Sequence, residues 1–271
     1  MDRPSGRPSD PAFGRPAGPP PAEPRQRWRI TFGREAVASD RVGRVALDEW
    51  QRSLVASGLP AVEAAGRARF AVAAPLPAAA RGEAELIEIW LAERTAGWLV
   101  REALAPHLPD GHRWVAAEDV WLGAPPIVGQ VSAADWRIEL GAETGIDRER
   151  LSAAASTLNG ARTISRVRTK GTTEKRYDLR PLLAGIDLEP PGADGAGPVL
   201  VARTRFHPEL GAGRPDEVVA ALAEASGSTI EIRSMTRVRL LLADDPDLRG
   251  SSRGQPVPTA TRPTPPANRR N

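Results

Sequence analysis

Apolar residues in this chain change period in a set order, and that order limits the fold more than any single motif does. In Arg27-Trp28-Arg29-Ile30-Thr31-Phe32 the large residues alternate with polar ones, the period of a half-buried strand. From Val45 to Ser57, Leu47, Trp50, Leu54 and Val55 fall at helical spacing. Asp48 and Glu49 suit the first turn of that helix, and Gly58-Leu59-Pro60 ends it. Phe70 to Leu76 and Glu85 to Leu91 read as two strands of a hairpin. Ala96 to Leu108 reads as a helix with Trp98, Leu99, Ala103 and Leu104 facing inward. His112 to Leu122 reads as a strand that follows the Pro109-Asp110-Gly111 turn. The predicted order is β-α-β-β-α-β.

After Pro125-Pro126 a similar order returns. Ala134 to Leu140 alternates as a strand. Asp147 N-caps a helix to Leu158 that Asn159-Gly160 stops. A hairpin follows, Thr163 to Thr169 out and Glu174 to Arg180 back, with Lys170-Gly171 at its turn. A short helical turn is predicted over Pro181 to Gly185, a strand over Val199 to Phe206, a helix from Arg214 to Ala225, and a last strand or strand pair over Thr229 to Leu242. These readings predict an α+β fold of two tandem ferredoxin-like α/β sandwiches with antiparallel sheets, one spanning 26–128 and the other 129–243. Helices on one face of an antiparallel sheet leave the other face open to a partner. Residues 1–25 and 244–271 are rich in proline and small residues and are predicted to be disordered tails.

Composition removes whole classes of chemistry. The chain has no cysteine, which excludes disulfides, thiolate metal sites, cysteine-held iron–sulfur clusters and cysteine nucleophiles. His107, His112 and His207 show no ligand spacing, so no metal is expected, and no cofactor. There is no Gly-x-Ser-x-Gly elbow. The glycine-rich 192–197 stretch lacks the lysine of a phosphate loop and reads as a flexible loop. These absences point away from an enzyme without excluding one. No apolar run is long enough for a membrane helix, and the first residues carry no apolar signal core, so the expected compartment is the cytoplasm.

Against this background one stretch stands out for binding. Arg162 to Arg180 holds seven Lys/Arg against two acids, both lysines and the only tyrosine. The remainder of the body is nearly neutral, so this excess is local. If 174–180 is a regular strand, Arg176, Asp178 and Arg180 form one exposed row. Parity on the other arm gathers Arg162, Arg166, Arg168 and Lys170 on one face, with Lys175 across the hairpin. A ribbon of this kind suits docking or phosphate binding and can track a nucleic-acid backbone, because the arginine fork binds phosphate bidentately. The plain alternative is a solvated, salt-bridged surface of little energetic weight. Tyr177 offers thin support for base stacking. Arg214 at the start of the last helix is a further anion candidate, although Asp216 and Glu217 already suit that terminus. Most of the seven tryptophans read as core anchors.

Three blocks in this half carry a resemblance: Thr163 to Arg168, the Glu174-Lys175-Arg176-Tyr177-Asp178-Leu179-Arg180-Pro181-Leu182 run, and Gly213-Arg214-Pro215-Asp216-Glu217-Val218. Together with Gly58-Leu59-Pro60, Pro75-Leu76-Pro77 and Glu83 to Leu91, they resemble the radical-SAM-linked protein family over residues 27–243. That family is a domain of unknown function found beside or fused to a radical SAM protein. Two histidine-bearing blocks of the family are missing. Val42-Gly43-Arg44-Val45 stands where Ser-His-Leu-Asp is usual, and Glu63 to Ala68 stands in place of Gly-Phe-Asn-Pro-His-Pro. The resemblance implies an accessory protein that docks to a radical SAM enzyme and presents an RNA or polypeptide substrate to it. The alternatives are a stand-alone RNA-binding module using the 162–180 ribbon, and an enzyme acting on phosphate esters or nucleotides, which the missing nucleophiles and ligands argue against.

Overall fold

Trp28, Ile30 and Phe32 alternate along the first strand, β1 (Gln26–Arg34), of a computed structural model that describes residues 22–141, 147–170, 173–190 and 197–249. Of the tails predicted at 1–25 and 244–271, residues 1–21 and 250–271 lie outside the described residues, as do the Gly171 position of the hairpin turn and most of the 192–197 loop. The described part of the second tail is ordered against the expectation: Pro246–Arg249 form a helical turn, and Asp247 pairs with Arg239 at 2.6 Å. α1 (Arg44–Ala56) buries Trp50 and Leu54. A short hairpin of β2 (Glu63–Ala64) and β3 (Arg67–Ala68) leads to β4 (Phe70–Val72), which pairs antiparallel with β5 (Ala80–Leu91) as the hairpin reading expected. α2 (Gly97–Leu104), a 3-10 turn over Ala105–His107 and β6 (His112–Asp119) complete the first half.

The second half begins with β7 (Val131–Leu140) and α3 (Arg148–Gly160). The Asp147 carboxylate accepts the Glu149 N–H at 3.1 Å, the cap that its position predicts. β8 (Ser165–Lys170) and β9 (Thr173–Asp178) form a two-stranded sheet of their own. β10 (Leu183–Leu188), β11 (Val199–His207), the two-residue β12 (Gly211–Ala212), α4 (Pro215–Ser226) and β13 (Ile232–Leu242) follow.

The expected helical turn over Pro181 to Gly185 needs correction. A 3-10 turn does occur, at Arg180–Leu182, where Pro181 supplies the required φ. The chain then extends at once into β10, because Leu183, Ile186 and Leu188 gain burial against β11. The helix α3 also runs through Gly160 instead of stopping before it.

The main sheet has nine strands in the order β10-β11-β7-β13-β5-β1-β6, with β12 on β11 and β4 on β5. Two separate antiparallel sheets were expected. One mostly antiparallel sheet is found, joined at a single parallel contact where Met235, Thr236 and Arg237 of β13 face Ala80, Arg81 and Gly82 of β5. The cause is a mismatch of length. β5 has 12 residues and β4 has 3, so β4 covers one end of β5 and leaves the edge at the other end to be paired.

Helices cover one face of each half. Trp28, Ile30, Phe32, Ile87 and Ile89 pack with Trp50, Leu54, Val100 and Leu104 from α1 and α2. Trp136, Ile138, Leu200 and Ala202 pack with Leu151, Leu158, Val218 and Leu222 from α3 and α4. Alternate residues on the same strands turn the other way and are largely charged: Arg29, Glu88, Asp135, Arg137, Glu139 and Arg203. No helix among the described residues is long and apolar enough to cross a membrane.

Candidate functional site

The ribbon of β8 and β9 is fastened at its foot and, on one face, to α4. Ser165 faces Asp178, Arg166 faces Tyr177, Val167 faces Arg176 and Arg168 faces Lys175. Partners across an antiparallel pair share a face. One face therefore carries Arg166, Arg168 and Tyr177, and the other carries Ser165, Val167, Arg176 and Asp178.

Asp178 closes the foot. One oxygen of its carboxylate accepts the Ile164 N–H at 2.8 Å and the Arg180 N–H at 2.9 Å, while the Leu179 N–H donates to the Ile164 carbonyl at 2.8 Å. Ile164 and Leu179 are buried beside it. The Arg180 guanidinium donates to the Leu158 carbonyl in the last turn of α3 at 3.1 Å, where helix carbonyls lack intrahelical partners. The expected exposed row of Arg176, Asp178 and Arg180 is thus not present. β9 ends at Asp178, so Arg180 lies in a 3-10 turn where strand parity no longer applies, and two backbone N–H groups claim the Asp178 carboxylate.

The Arg166 face is turned toward α4. Arg166 donates to Glu217 at 3.1 Å and to Glu224 at 2.8 Å, and its side chain is 16% exposed. Tyr177 packs against the core of the second half, and burial together with the Glu217 carboxylate raises its phenol pKa. Arg214 N-caps α4 without a side-chain cap bond and pairs with Asp216 at 2.5 Å, which holds the arginine more firmly protonated. The first-turn acids Asp216 and Glu217 therefore pair with Arg214 and Arg166. Gly213 lets α4 enter close to the ribbon's foot, since a Cβ there would sit 2.3 Å from the Leu182 carbonyl oxygen. Two of the sequence blocks that carry the resemblance, 174–182 and 213–218, are in contact at this point.

The expected shared face of Arg162, Arg166, Arg168 and Lys170 divides. β8 begins at Ser165, so Arg162 lies in the segment before the strand, and Arg166 is committed to α4. Arg162, Arg168 and Arg176 are exposed, and among the described residues none has a carboxylate partner. Val167, 47% exposed, faces Arg176 across the ribbon, and Arg168 belongs to the other face. The side chains of Lys170 and Lys175 lie outside the described part of the structure.

Elsewhere the structure contains charge clusters that sequence reading missed. Arg237 (β13) pairs with Glu85 (β5) across the seam and also donates to the Ala74 and Pro75 carbonyls at 3.0 and 3.1 Å. Asp135 holds Arg203 at 2.6 Å and Arg239 at 2.9 Å. Glu88 accepts Arg29 at 2.9 Å and the Ile127 N–H at 3.2 Å. Carboxylates set inside apolar strand runs, as in Leu86-Ile87-Glu88-Ile89-Trp90, were the available signal, because a buried acid needs a cation or a donor.

The histidines are separate from one another in role and place. His112 stacks on Phe32 at 5.3 Å and meets the Trp50 ring edge-on at 5.6 Å, and burial lowers its pKa. His207 accepts the Glu209 and Leu210 N–H groups, both at 3.2 Å. His107 is exposed on a surface groove of about 240 Å³ that also meets Arg41, Glu49 and Arg52. Among the described residues no group of three His, Asp or Glu side chains is placed to hold a metal ion.

Residues 50–206 match a family described as "Uncharacterized protein conserved in bacteria (DUF2344)". No curated protein matches the chain. Among solved structures, the chain is similar to one in the crystal structure of a Cbf5-Nop10-Gar1 complex, with a TM-score of 0.44 and 7% identity over 79% of this chain and 48% of that one. It is also similar to one in the structure of H/ACA RNP bound to a substrate RNA containing 2'-deoxyuridine, with a TM-score of 0.42 and 7% identity over 79% and 47%. An unknown protein from Galdieria sulphuraria matches with a TM-score of 0.22 and 17% identity over 77% and 98%. The chain spans about half the length of the first two.

Proposed function

We propose that this chain, which belongs to the DUF2344 family of uncharacterized proteins conserved in bacteria, is a non-catalytic accessory protein that docks to an anionic partner surface through the β8–β9 ribbon. One observation carries this reading. The ribbon pairs with itself outside the main sheet, and its basic residues divide into two groups. Arg166 and Arg180 are held by α4 and α3, whereas Arg162, Arg168 and Arg176 are exposed without a carboxylate partner among the described residues. A folded domain stabilises itself with the first group and gains nothing internal from the second.

The partner we assign is a radical SAM enzyme, on the resemblance of the 163–168, 174–182 and 213–218 blocks. The cysteines of such an enzyme's [4Fe–4S] cluster must come from the partner, since this chain has none. We read the scaffold as two ferredoxin-like units. The orders β6-β1-β5-β4 and β13-β7-β11-β10 each run fourth, first, third, second strand of a β-α-β-β-α-β unit, which supports that reading.

RNA is the second reading, because unpaired guanidinium forks suit phosphates as well as carboxylates. The burial of Tyr177 weighs against base stacking on the ribbon. Co-purification of the tagged chain with the radical SAM protein encoded in the same genome tests the choice. Retention by the native chain and loss by an Arg162→Ala/Arg168→Ala/Arg176→Ala variant is the expected result. A genome with no radical SAM gene, or capture that the triple variant leaves intact, would overturn the docking reading. Salt-dependent RNA binding that the same variant abolishes, with no protein captured, would replace it with the RNA reading.

A further inference from the structure

The two ends of the nine-stranded sheet are treated differently. At one end the outer strand is β10, and its free edge is occupied. The Asn159 side-chain amide acts as a short strand substitute, donating to the Ile186 carbonyl at 2.8 Å and accepting the Ile186 N–H at 3.1 Å. Arg148 donates to the Leu188 and Glu189 carbonyls just beyond. At the other end β6 pairs with β1 on one side only. Among the described residues, no group outside β1 bonds the backbone of residues 113–119. An open edge offers a row of donors and acceptors to another strand.

The sequence of β6 matches itself in reverse. His112-Arg113-Trp114-Val115-Ala116-Ala117-Glu118-Asp119 is basic at one end and acidic at the other. Antiparallel pairing of two copies about the Val115–Ala116 bond puts Arg113 opposite Glu118, and Trp114 opposite Ala117. In a regular strand that register fails, because residues three or five apart face opposite ways. Here Val115 is a bulge: Ala116 faces Thr31 and Trp114 faces Phe32 with no partner for Val115 between them. The bulge resets the parity. Trp114 and Ala117 both pack on the helix-covered core of the first half, so Arg113 and Glu118 share the opposite face. The surroundings of the edge are apolar and uncovered. Val115 is 43% exposed, Trp121 just past the strand is 78% exposed, and Trp98 on α2, which packs beside β6, is 67% exposed.

We propose that β6 is a self-association edge, through which two copies of this chain pair antiparallel and join their sheets into one. The symmetry is two-fold, so the Arg113–Glu118 pair forms twice. The edge belongs to the half of the molecule opposite the ribbon, so self-association leaves β8 and β9 available.

Sedimentation velocity on the full-length protein across a wide concentration range tests this. The expected species has twice the 28.9 kDa chain mass. Arg113→Glu should weaken self-association by about tenfold, since symmetry places like charges opposite each other at two positions. Glu118→Arg should weaken it similarly. The combined Arg113→Glu/Glu118→Arg variant should recover it, because the pair is restored with its signs exchanged. Glu118 also meets Arg29 at 3.1 Å, so the thermal midpoint of each variant is followed alongside. A native chain that stays monomeric throughout overturns the proposal. So does a dimer that neither single reversal weakens, or a double variant that associates no better than the singles while melting like the native chain.

Discussion

Asp178 and Arg166 look like members of a binding patch in the sequence and act as fasteners in the fold. Removing the Asp178 carboxylate by Asp178→Ala strands two backbone donors, on Ile164 and Arg180, and should cost about 1–3 kcal/mol in a urea titration. Asp178→Asn, which keeps an acceptor oxygen, should cost clearly less. Arg237→Met leaves the Glu85 carboxyl nearly sealed from water without its cation, and should cost about 3–5 kcal/mol. Adding Glu85→Leu to it should recover most of that loss, since it is the unpaired carboxyl that destabilises. His112 adds a pH dependence of stability. Burial lowers its folded pKa below the ordinary 6.5, so the unfolded chain takes up the proton first as pH falls. Its contribution is present above the unfolded value and is lost as pH drops toward the folded one. The urea midpoint should therefore fall between about pH 7.5 and about pH 5, and fall less in His112→Gln. The charge excess at 162–180 was legible in the sequence. The commitment of Arg166 was not, because Glu217 and Glu224 lie 51 and 58 residues further along the chain.

At the scale of elements, the ribbon separates affinity from stability. The Arg162→Ala/Arg168→Ala/Arg176→Ala variant should keep its melting temperature, since exposed substitutions shift stability within about 0.5 kcal/mol, and should flatten the salt dependence of partner binding. Arg166→Ala should do the reverse, lowering the melting temperature while its exposed neighbours still bind. At the β10 edge, Asn159→Ala removes the group that occupies Ile186, and should both destabilise and promote concentration-dependent aggregation measurable by light scattering. Elements with strong periodicity were readable from sequence: β1, α1, β7 and α3 all fall where alternation, helical spacing or the Asp147 cap placed them. β10 was not, because its start coincides with a real 3-10 turn at Pro181, and local signals at that proline favour the turn over the strand that follows.

Across the whole molecule the parallel seam between β13 and β5 is the feature that couples the halves. It joins the sheets through three residue pairs and places the Arg237–Glu85 contact across them. Opening it would expose strand edges and separate a buried pair, so the two halves should unfold together. Calorimetry should show one transition whose van't Hoff and calorimetric enthalpies agree. Two resolved transitions would show that the halves unfold independently.

The sequence alone determined what depends on neighbours close in the chain: alternation in strands, helix caps and stops, the locally basic hairpin, and the absence of cysteine with all the chemistry that removes. The tertiary structure alone decided which arginines are held and which remain exposed, which strand edge is blocked and which is open, and that two halves share one sheet. Those outcomes rest on groups far apart in sequence meeting at hydrogen-bonding distance. No local period encodes such a meeting, because the energy of burying a charge depends on what arrives beside it.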